Sequence, residues 1–158
     1  FPKGLPSLLD GLGFQGSYTR LSSSQNVPEA NDAGDIVSQL ETPFFGVSDR
    51  SYNATLAYEK GPLSARLSYV WRSGFLSSNE AALFANPIGI WRHPEKSVDM
   101  QVSYKINETT SVDISGFNLT NEMQQQYYRF GDAGNTQTTS FGTLQIGRSV
   151  SAAVRVKF

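Results

Sequence analysis

The chain has 158 residues, with 13 Lys plus Arg against 14 Asp plus Glu, no Cys and a single His. The absence of cysteine excludes a disulfide scaffold and a thiolate metal site, and one imidazole is too few for a histidine metal cluster. The net charge of -1 shows no excess of basic residues, which proteins use to bind phosphate backbones. We therefore predict no nucleic-acid partner. We also predict no metal and no cofactor.

Alternation of apolar and polar residues with a period of two is the main structural signal along the chain. The six predicted strands, in chain order, are residues 12–21, 51–60, 63–73, 97–106, 111–121 and 149–158. Helical spacing is weak and predicts only short helical turns, at residues 5–10 and 80–85. No apolar run reaches the roughly 18 residues that a membrane-spanning helix needs.

The connections between the predicted strands are alternately short and long. Residues 60–62 and 107–110 are predicted to form tight turns, whereas residues 22–50, 74–96 and 122–148 are long connections. All the long connections therefore fall at one end of the predicted sheet. Outer-membrane barrels have this asymmetry, with short periplasmic turns and long extracellular loops.

The alternation also separates an apolar face from a polar one, which suits strands with lipid on one side and a polar lumen on the other. We therefore predict an all-β fold of antiparallel up-and-down strands that forms part of a transmembrane β-barrel, whose large size is implied by the family resemblance given below. Charge is confined to the polar face because a lipid-facing cation at the bilayer midplane costs about 2–4 kcal/mol. The charged residues predicted to face the lumen are Glu59, Arg66, Arg72, Asp99, Lys105, Asp113, Arg155 and Lys157.

Aromatic residues on the apolar face cluster at two heights. Those near the tight turns are Tyr58, Tyr104 and Phe158, and those near the opposite strand ends are Tyr18, Tyr52, Tyr69 and Trp71. Two such belts match the two interfaces of a bilayer, where amphipathic rings are enriched. The fifth strand departs from the pattern, because Phe117 and Leu119 have the opposite parity to Ile114, and this predicts a bulge or kink at Gly116.

Several segments resemble one protein family. The segment 113–122 contains Asn118-Leu119-Thr120-Asn121 after an apolar residue, and it resembles the penultimate strand of TonB-dependent outer-membrane receptors. Gly147-Arg148-Ser149-Val150 and the strand that follows are similar to the last strand of those receptors. Residues 52–73 resemble a proteobacterial branch of the family. The residues similar to the signal that the barrel-assembly machinery recognises are Val150, Val154, Val156 and Phe158.

The resemblance implies a barrel of about 22 strands with a plug domain inside it and a TonB box at its N-terminus. Neither plug nor box is recognisable in this chain, which also begins without Met, and six strands are fewer than the roughly eight of the smallest bacterial barrels. We therefore expect this chain to form about the last six strands of a receptor in a Gram-negative outer membrane. The implied partners are the remaining barrel strands and plug, the TonB energy-coupling complex, the barrel-assembly machinery, outer-membrane lipid and a small nutrient ligand.

The resemblance implies active import of a scarce nutrient, such as a ferric siderophore, a vitamin or an oligosaccharide. Ligand contacts are expected from the long loops, because binding residues are often presented on loops of a rigid scaffold. Exposed aromatic rings and arginines are the best candidates, since they stack on rings and pair with carboxylates. The candidates are Phe44, Phe45, Trp91, Arg92, His93, Tyr127, Tyr128 and Arg129.

Two other classes of protein remain alternatives. The Asn-x-Thr sequons at Asn53, Asn107 and Asn118 would suit a secreted β-sandwich that binds carbohydrate, although two of them lie within predicted strands. A catalytic outer-membrane barrel would need an activated serine, and no Gly-x-Ser-x-Gly motif accompanies His93. We therefore predict no enzymatic activity.

Overall fold

The computed structural model describes residues 9–80, 88–129 and 138–158. Over these residues the protein is all-β, and every strand pair is antiparallel. The strands are β1 (Leu12–Arg20), β2 (Gln25–Ala30), β3 (Ile36–Thr42), β4 (Arg50–Lys60), β5 (Leu63–Arg72), β6 (Phe75–Glu80), β7 (Ile88–Arg92), β8 (Glu95–Lys105), β9 (Thr110–Phe117), β10 (Met123–Arg129), β11 (Thr138–Gln145) and β12 (Ser149–Val156). No helix within the described ranges is long and apolar enough to cross a membrane.

Six strands form one large sheet in the order β1-β4-β5-β8-β9-β12. They correspond to the six predicted strands, and neighbours in the sheet are successive predicted strands, so the up-and-down order is confirmed. Five predicted ends were too long. Those of β1, β5 and β8 exceed the strand by one residue, whereas β9 ends at Phe117 and β12 ends at Val156, four and two residues before the predicted ends. Phe158 therefore lies beyond the last strand.

The register of the large sheet brings the predicted apolar residues onto one face. One row of paired residues on that face comprises Phe14, Leu56, Leu67, Met100, Gly116 and Val150. The adjacent row on the other face comprises Gly13, Ala57, Arg66, Gln101, Ser115 and Ser151. Since side chains alternate across a strand, the separation into an apolar and a polar face is confirmed.

The two tight turns form where they were predicted. Between β4 and β5 the chain reverses at Gly61, whose φ of 57° lies in the left-handed region that glycine adopts at little cost. Between β8 and β9 the Asn107 side-chain oxygen accepts hydrogen bonds from the backbone N–H groups of Thr109 at 3.0 Å and Thr110 at 2.8 Å. Both turns lie at the same end of the large sheet, so the long connections share the other end.

The long connections contain strands that the sequence analysis did not predict. The first holds the hairpin β2–β3, and the other two build a four-stranded sheet in the order β11-β10-β7-β6. The predicted helical turn at 80–85 is wrong at Glu80, which ends β6 and pairs with Ile88. Residues 81–85 lie outside the described part of the chain, as do residues 5–8 of the other predicted turn.

Buried apolar side chains are concentrated in the four-stranded sheet rather than in the large one. Phe75, Leu76 and Ile90 are the buried hydrophobic residues among those described. By contrast, Leu67 and Val154 on the apolar face of the large sheet are 43% and 67% exposed. Within the described ranges, the large sheet is open at β1 and β12 and its apolar face has no covering layer.

The predicted bulge or kink at Gly116 is wrong. β9 keeps an unbroken register with both of its neighbours through Gly116. The strand ends one residue later, and Asn118 turns the chain with a left-handed φ of 49°. Leu119 then packs over Gly116, where an added Cβ would lie 2.7 Å from the Leu119 Cδ2 atom. The change of parity therefore marks the end of the strand.

Candidate functional site

A groove of about 490 Å³ lies between the β2–β3 hairpin and the four-stranded sheet. This volume falls within the roughly 300–1,000 Å³ of small-molecule sites. The sheet contributes five lining residues: Leu76, Asn79, Gly89, Trp91 and Arg129. Leu76 pairs with Trp91, and Asn79 pairs with Gly89, so these residues share one face of the sheet.

Pairing of β7 with β10 brings four of the predicted ligand-binding residues onto this face. Trp91 and Tyr127 are direct partners in the ladder. The ring centroids of His93 and Tyr127 are 4.5 Å apart. The Arg129 guanidinium carbon lies 5.3 Å from the Trp91 ring centroid, within the range of a cation–π contact. The groove face therefore carries a cluster of aromatic and basic side chains.

The hairpin contributes the opposite wall of the groove. Val27 pairs with Leu40, and Thr42 lies two residues farther along the same face of β3. The Thr42 Oγ1 atom is buried and has no hydrogen-bond partner among the residues described. Glu41 also borders the groove, although it is exposed and belongs to the other face of the hairpin by alternation.

The other two candidates from β7 and β10, Arg92 and Tyr128, lie on the opposite face of the small sheet. Arg92 is part of an ion-pair cluster in which Glu95 Oε1 accepts from Arg92 Nη1 at 3.0 Å and Glu95 Oε2 accepts from Arg72 Nε at 2.8 Å. Both guanidinium groups also lie over the Phe75 ring, at 5.8 Å and 4.2 Å. The Arg92 side chain therefore takes part in ion pairing and packing within the protein, and it is directed away from the groove.

The candidates Phe44 and Phe45 lie in the connection after β3 and do not line the groove. Their side chains are 50% and 45% exposed. The turn is held by the backbone N–H of Gly46, which donates to the carbonyl of Leu76 at 2.8 Å. Gly46 has a φ of 76°, which favours glycine. The two rings therefore flank the site from outside.

A smaller cavity of about 290 Å³ adjoins the groove and shares Pro43, Leu76 and Trp91 with it. Asp49, in its wall, accepts a hydrogen bond from the Ser73 hydroxyl. This hydrogen bond is the largest effect and lowers the pKa of Asp49 below its ordinary value. Burial opposes it as the next-largest effect, and the nearby Arg50 guanidinium adds a smaller lowering. Ser73 itself is only 6% exposed and also accepts from the Arg50 N–H at 3.2 Å.

The charged residues that were predicted to face a lumen share the polar face of the large sheet, except for Lys157, which lies beyond the end of β12. Their neighbours are mostly hydroxyl and amide groups: Ser97 Oγ donates to Asp99 Oδ1 at 2.8 Å. Arg155 Nη2 lies 3.7 Å from Asp113 Oδ2. This face is therefore a polar wall with few strong ion pairs.

Sequence reasoning missed the hairpin wall of the groove. The available signal was turn chemistry, since the Asn31 side-chain oxygen accepts from the backbone N–H groups of Ala33 at 3.0 Å and Asp35 at 2.9 Å, and Gly34 has a φ of 86°. An asparagine followed by a glycine in this way is typical of a turn. Weak alternation on either side of it concealed the hairpin.

The described residues contain no group of three or more His, Asp or Glu side chains that could hold a metal ion. Comparison with protein-family models, curated proteins and solved structures finds no match to this chain.

Proposed function

We propose that this chain is a wall segment, corresponding to about the last six strands, of a TonB-dependent receptor that imports a scarce nutrient across a Gram-negative outer membrane. One observation carries the proposal: the large sheet has an exposed apolar face and, in the part of the chain described, two unpaired edges. An exposed edge and a large apolar surface both favour aggregation in water. In a barrel, lipid covers the apolar face and further strands pair with the two edges, so neither is exposed to water.

Strand length supports a transmembrane role. β1, β4, β5 and β8 contain 9, 11, 10 and 11 residues, and β9 and β12 contain 8 residues each. A tilted strand needs about 9–11 residues to cross the hydrocarbon core. The aromatic residues near the long connections also form a compact belt, in which the ring centroids of Tyr52 and Trp71 are 4.9 Å apart. Rings at this height suit a membrane interface.

In this proposal the polar face lines the lumen and contacts a plug domain supplied by the remainder of the receptor. The long connections then lie on the extracellular side, where their small sheet and hairpin present the groove to incoming ligand. Energy for import comes from the TonB complex through the plug, because this chain supplies only wall and groove. The turn at Asn118 and Asn121 contains the Asn-Leu-Thr-Asn segment that resembles the receptor family, and its hydrogen bonds stabilise the long connection that ends at β12.

The secreted β-sandwich is less well supported by the same geometry. A sandwich buries the apolar face of one sheet against a second sheet, and within the described residues no second sheet covers this face. The Asn118 amide nitrogen, which a glycan would modify, donates to the carbonyls of Glu122 at 3.2 Å and Ile146 at 2.5 Å. A glycan at that nitrogen would displace these contacts.

The proposal is tested by isolating outer membranes from the native organism and measuring the denatured mass of the polypeptide that carries this sequence. We expect a species several times heavier than 17.3 kDa that is extracted only by detergent. A species that is soluble in plain buffer would contradict the membrane location. A membrane species near 17.3 kDa would contradict the proposed single-chain receptor.

A further inference from the structure

We propose that the groove between the β2–β3 hairpin and the four-stranded sheet binds a neutral carbohydrate, with one sugar ring stacked on Trp91. The inference rests on the proposed import function, because it assigns a ligand class to that site. It differs from the general expectation of loop binding by naming one groove and one chemistry. Three features of the groove support it.

The first feature is an aromatic side chain, Trp91, which is partly exposed at the wall of the groove. The Trp91 indole packs beside Gly89, where an added Cβ would lie 2.9 Å from Trp91 Nε1 and 2.9 Å from Leu76 Cδ1. Only a residue without a side chain leaves room for the ring to lie across the strand at this point. One side of the indole is thereby supported by the protein, and Trp91 borders the open groove. Because the Arg129 guanidinium lies over the Trp91 ring, a pyranose that stacks on the indole through its C–H face must displace this guanidinium to one side of the ring.

The second feature is the placement of polar groups around the Trp91 ring. Arg129 lies over the indole and offers several N–H donors in a planar arrangement, and Asn79 supplies both a donor and an acceptor beside it. On the hairpin side, the exposed Glu41 carboxylate borders the groove and can accept hydrogen bonds. Sugar hydroxyls both donate and accept, so they match a mixed set of donors and acceptors.

The third feature is the charge of the groove. Arg129 and Glu41 are its charged lining residues in the part of the chain described, and their charges are opposite. A polyanionic ligand, such as a ferric chelate bearing several carboxylates or catecholates, would be favoured by a cationic site. A groove with balanced charge and apolar residues on both walls instead suits an uncharged ligand with polar and apolar surfaces.

The test uses the full-length receptor purified in detergent and immobilised for binding to an array of neutral and acidic glycans, with a ferric tris-catecholate as a separate probe. The variants are Trp91→Ala and Arg129→Gln, and the matched control is Phe44→Ala, an exposed aromatic outside the groove. We expect at least one neutral glycan to bind, and its affinity to fall by about tenfold or more in Trp91→Ala, since truncating an aromatic anchor commonly has this effect. Arg129→Gln should weaken binding to a smaller extent, and Phe44→Ala should bind as the unmodified receptor does.

Failure to bind any glycan on the array at millimolar concentration would overturn the inference. So would glycan binding that is equally reduced by Phe44→Ala, or that is unchanged in Trp91→Ala. Heat-resistant folding of each variant in detergent, followed by its electrophoretic mobility before and after boiling, shows that a lost affinity does not arise from unfolding. If the folded, immobilised receptor binds the ferric probe but binds no glycan, the carbohydrate inference fails while the import function stands. If the polypeptide is a soluble protein, the import function itself fails.

Discussion

The side-chain amide nitrogen of Asn118 lies 2.5 Å from the backbone carbonyl oxygen of Ile146, and this contact joins the turn after β9 to the segment that leads into β12. The same side chain accepts a hydrogen bond from the Glu122 N–H at 2.9 Å. The Asn118 N–H in turn donates to Asp99 on β8 at 2.9 Å. One asparagine thus links the two ends of the third long connection to the wall of the large sheet.

We predict that Asn118→Ala destabilises the protein by about 1–3 kcal/mol, because it removes the partly buried hydrogen bonds to the carbonyl and the N–H of Glu122 and places alanine at a φ of 49°. Asn118→Gly is the matched control, since it removes the amide but relieves the backbone strain. Both variants should lower the midpoint of denaturant unfolding in detergent, alanine more than glycine. Equal stability of Asn118→Ala and the unmodified protein would show that the amide contacts do not stabilise the fold.

Adjacent residues of β8 provide a test of which face meets lipid. Met100 lies on the apolar face and Gln101 on the polar face. In the proposed barrel, Met100→Lys should cost about 2–4 kcal/mol at the bilayer midplane, whereas Gln101→Lys should change little. The measurement is the equilibrium unfolding of the receptor in lipid vesicles. If the two lysine variants are equally stable, the apolar face does not contact lipid.

Glu95 connects two arginines from different strands, and its side chain is only 16% exposed. Glu95→Gln should lower the free energy of unfolding by about 1–3 kcal/mol, because two guanidinium groups lose a shared carboxylate. The control is Arg155→Gln, which removes a pair separated by 3.7 Å from a side chain that is 75% exposed. That change should cost less than about 1 kcal/mol. The two denaturation curves compare these effects directly, and similar losses would contradict the central role of Glu95.

The contact between Ser73 and Asp49 predicts a pH dependence. Because the folded-state pKa of Asp49 is lowered from 3.8, its ionised form contributes stability above that value, and the contribution is lost as the pH falls through the lower, folded pKa. Ser73→Ala removes the main cause of the shift. The difference in stability between the unmodified protein and Ser73→Ala should therefore be larger at neutral pH than near pH 3 (about one unit below the ordinary value). A difference that stays constant or grows as the pH falls would contradict this assignment.

Much of the large sheet was predictable from sequence, because strand alternation is a local property. The residues of one face in β4, β5, β8 and β12 follow from parity alone, and the pairing of β4 with β5 and of β8 with β9 follows from the two tight turns at Gly61 and Asn107. The transition at Gly116 was harder to interpret. A parity change has the same appearance in the sequence whether it arises from a bulge or, as here, from a strand that ends at Phe117.

The groove depended on contacts between residues far apart in the sequence. Trp91 and Arg129 were identified as candidates because of their residue types, yet nothing in the sequence separated them from Arg92 and Tyr128, which lie on the other face of the small sheet. The pairing of Trp91 with Tyr127 determines which of these residues lie on the groove face of the small sheet and which lie on the other face. Thr42 and Asn79 were not candidates at all, since each becomes significant only when the hairpin lies opposite the sheet.

The sequence by itself determined that the chain is all-β, which residues form the six strands of the large sheet and which side chains share each face, because the two-residue period follows from the covalent geometry of an extended backbone. Only the tertiary structure decided how the long connections fold, that β7 pairs with β10, and that a hairpin and a second sheet enclose a groove around Trp91. Those features are set by hydrogen bonds and packing between distant segments, and a local pattern of residues does not specify which segments will meet.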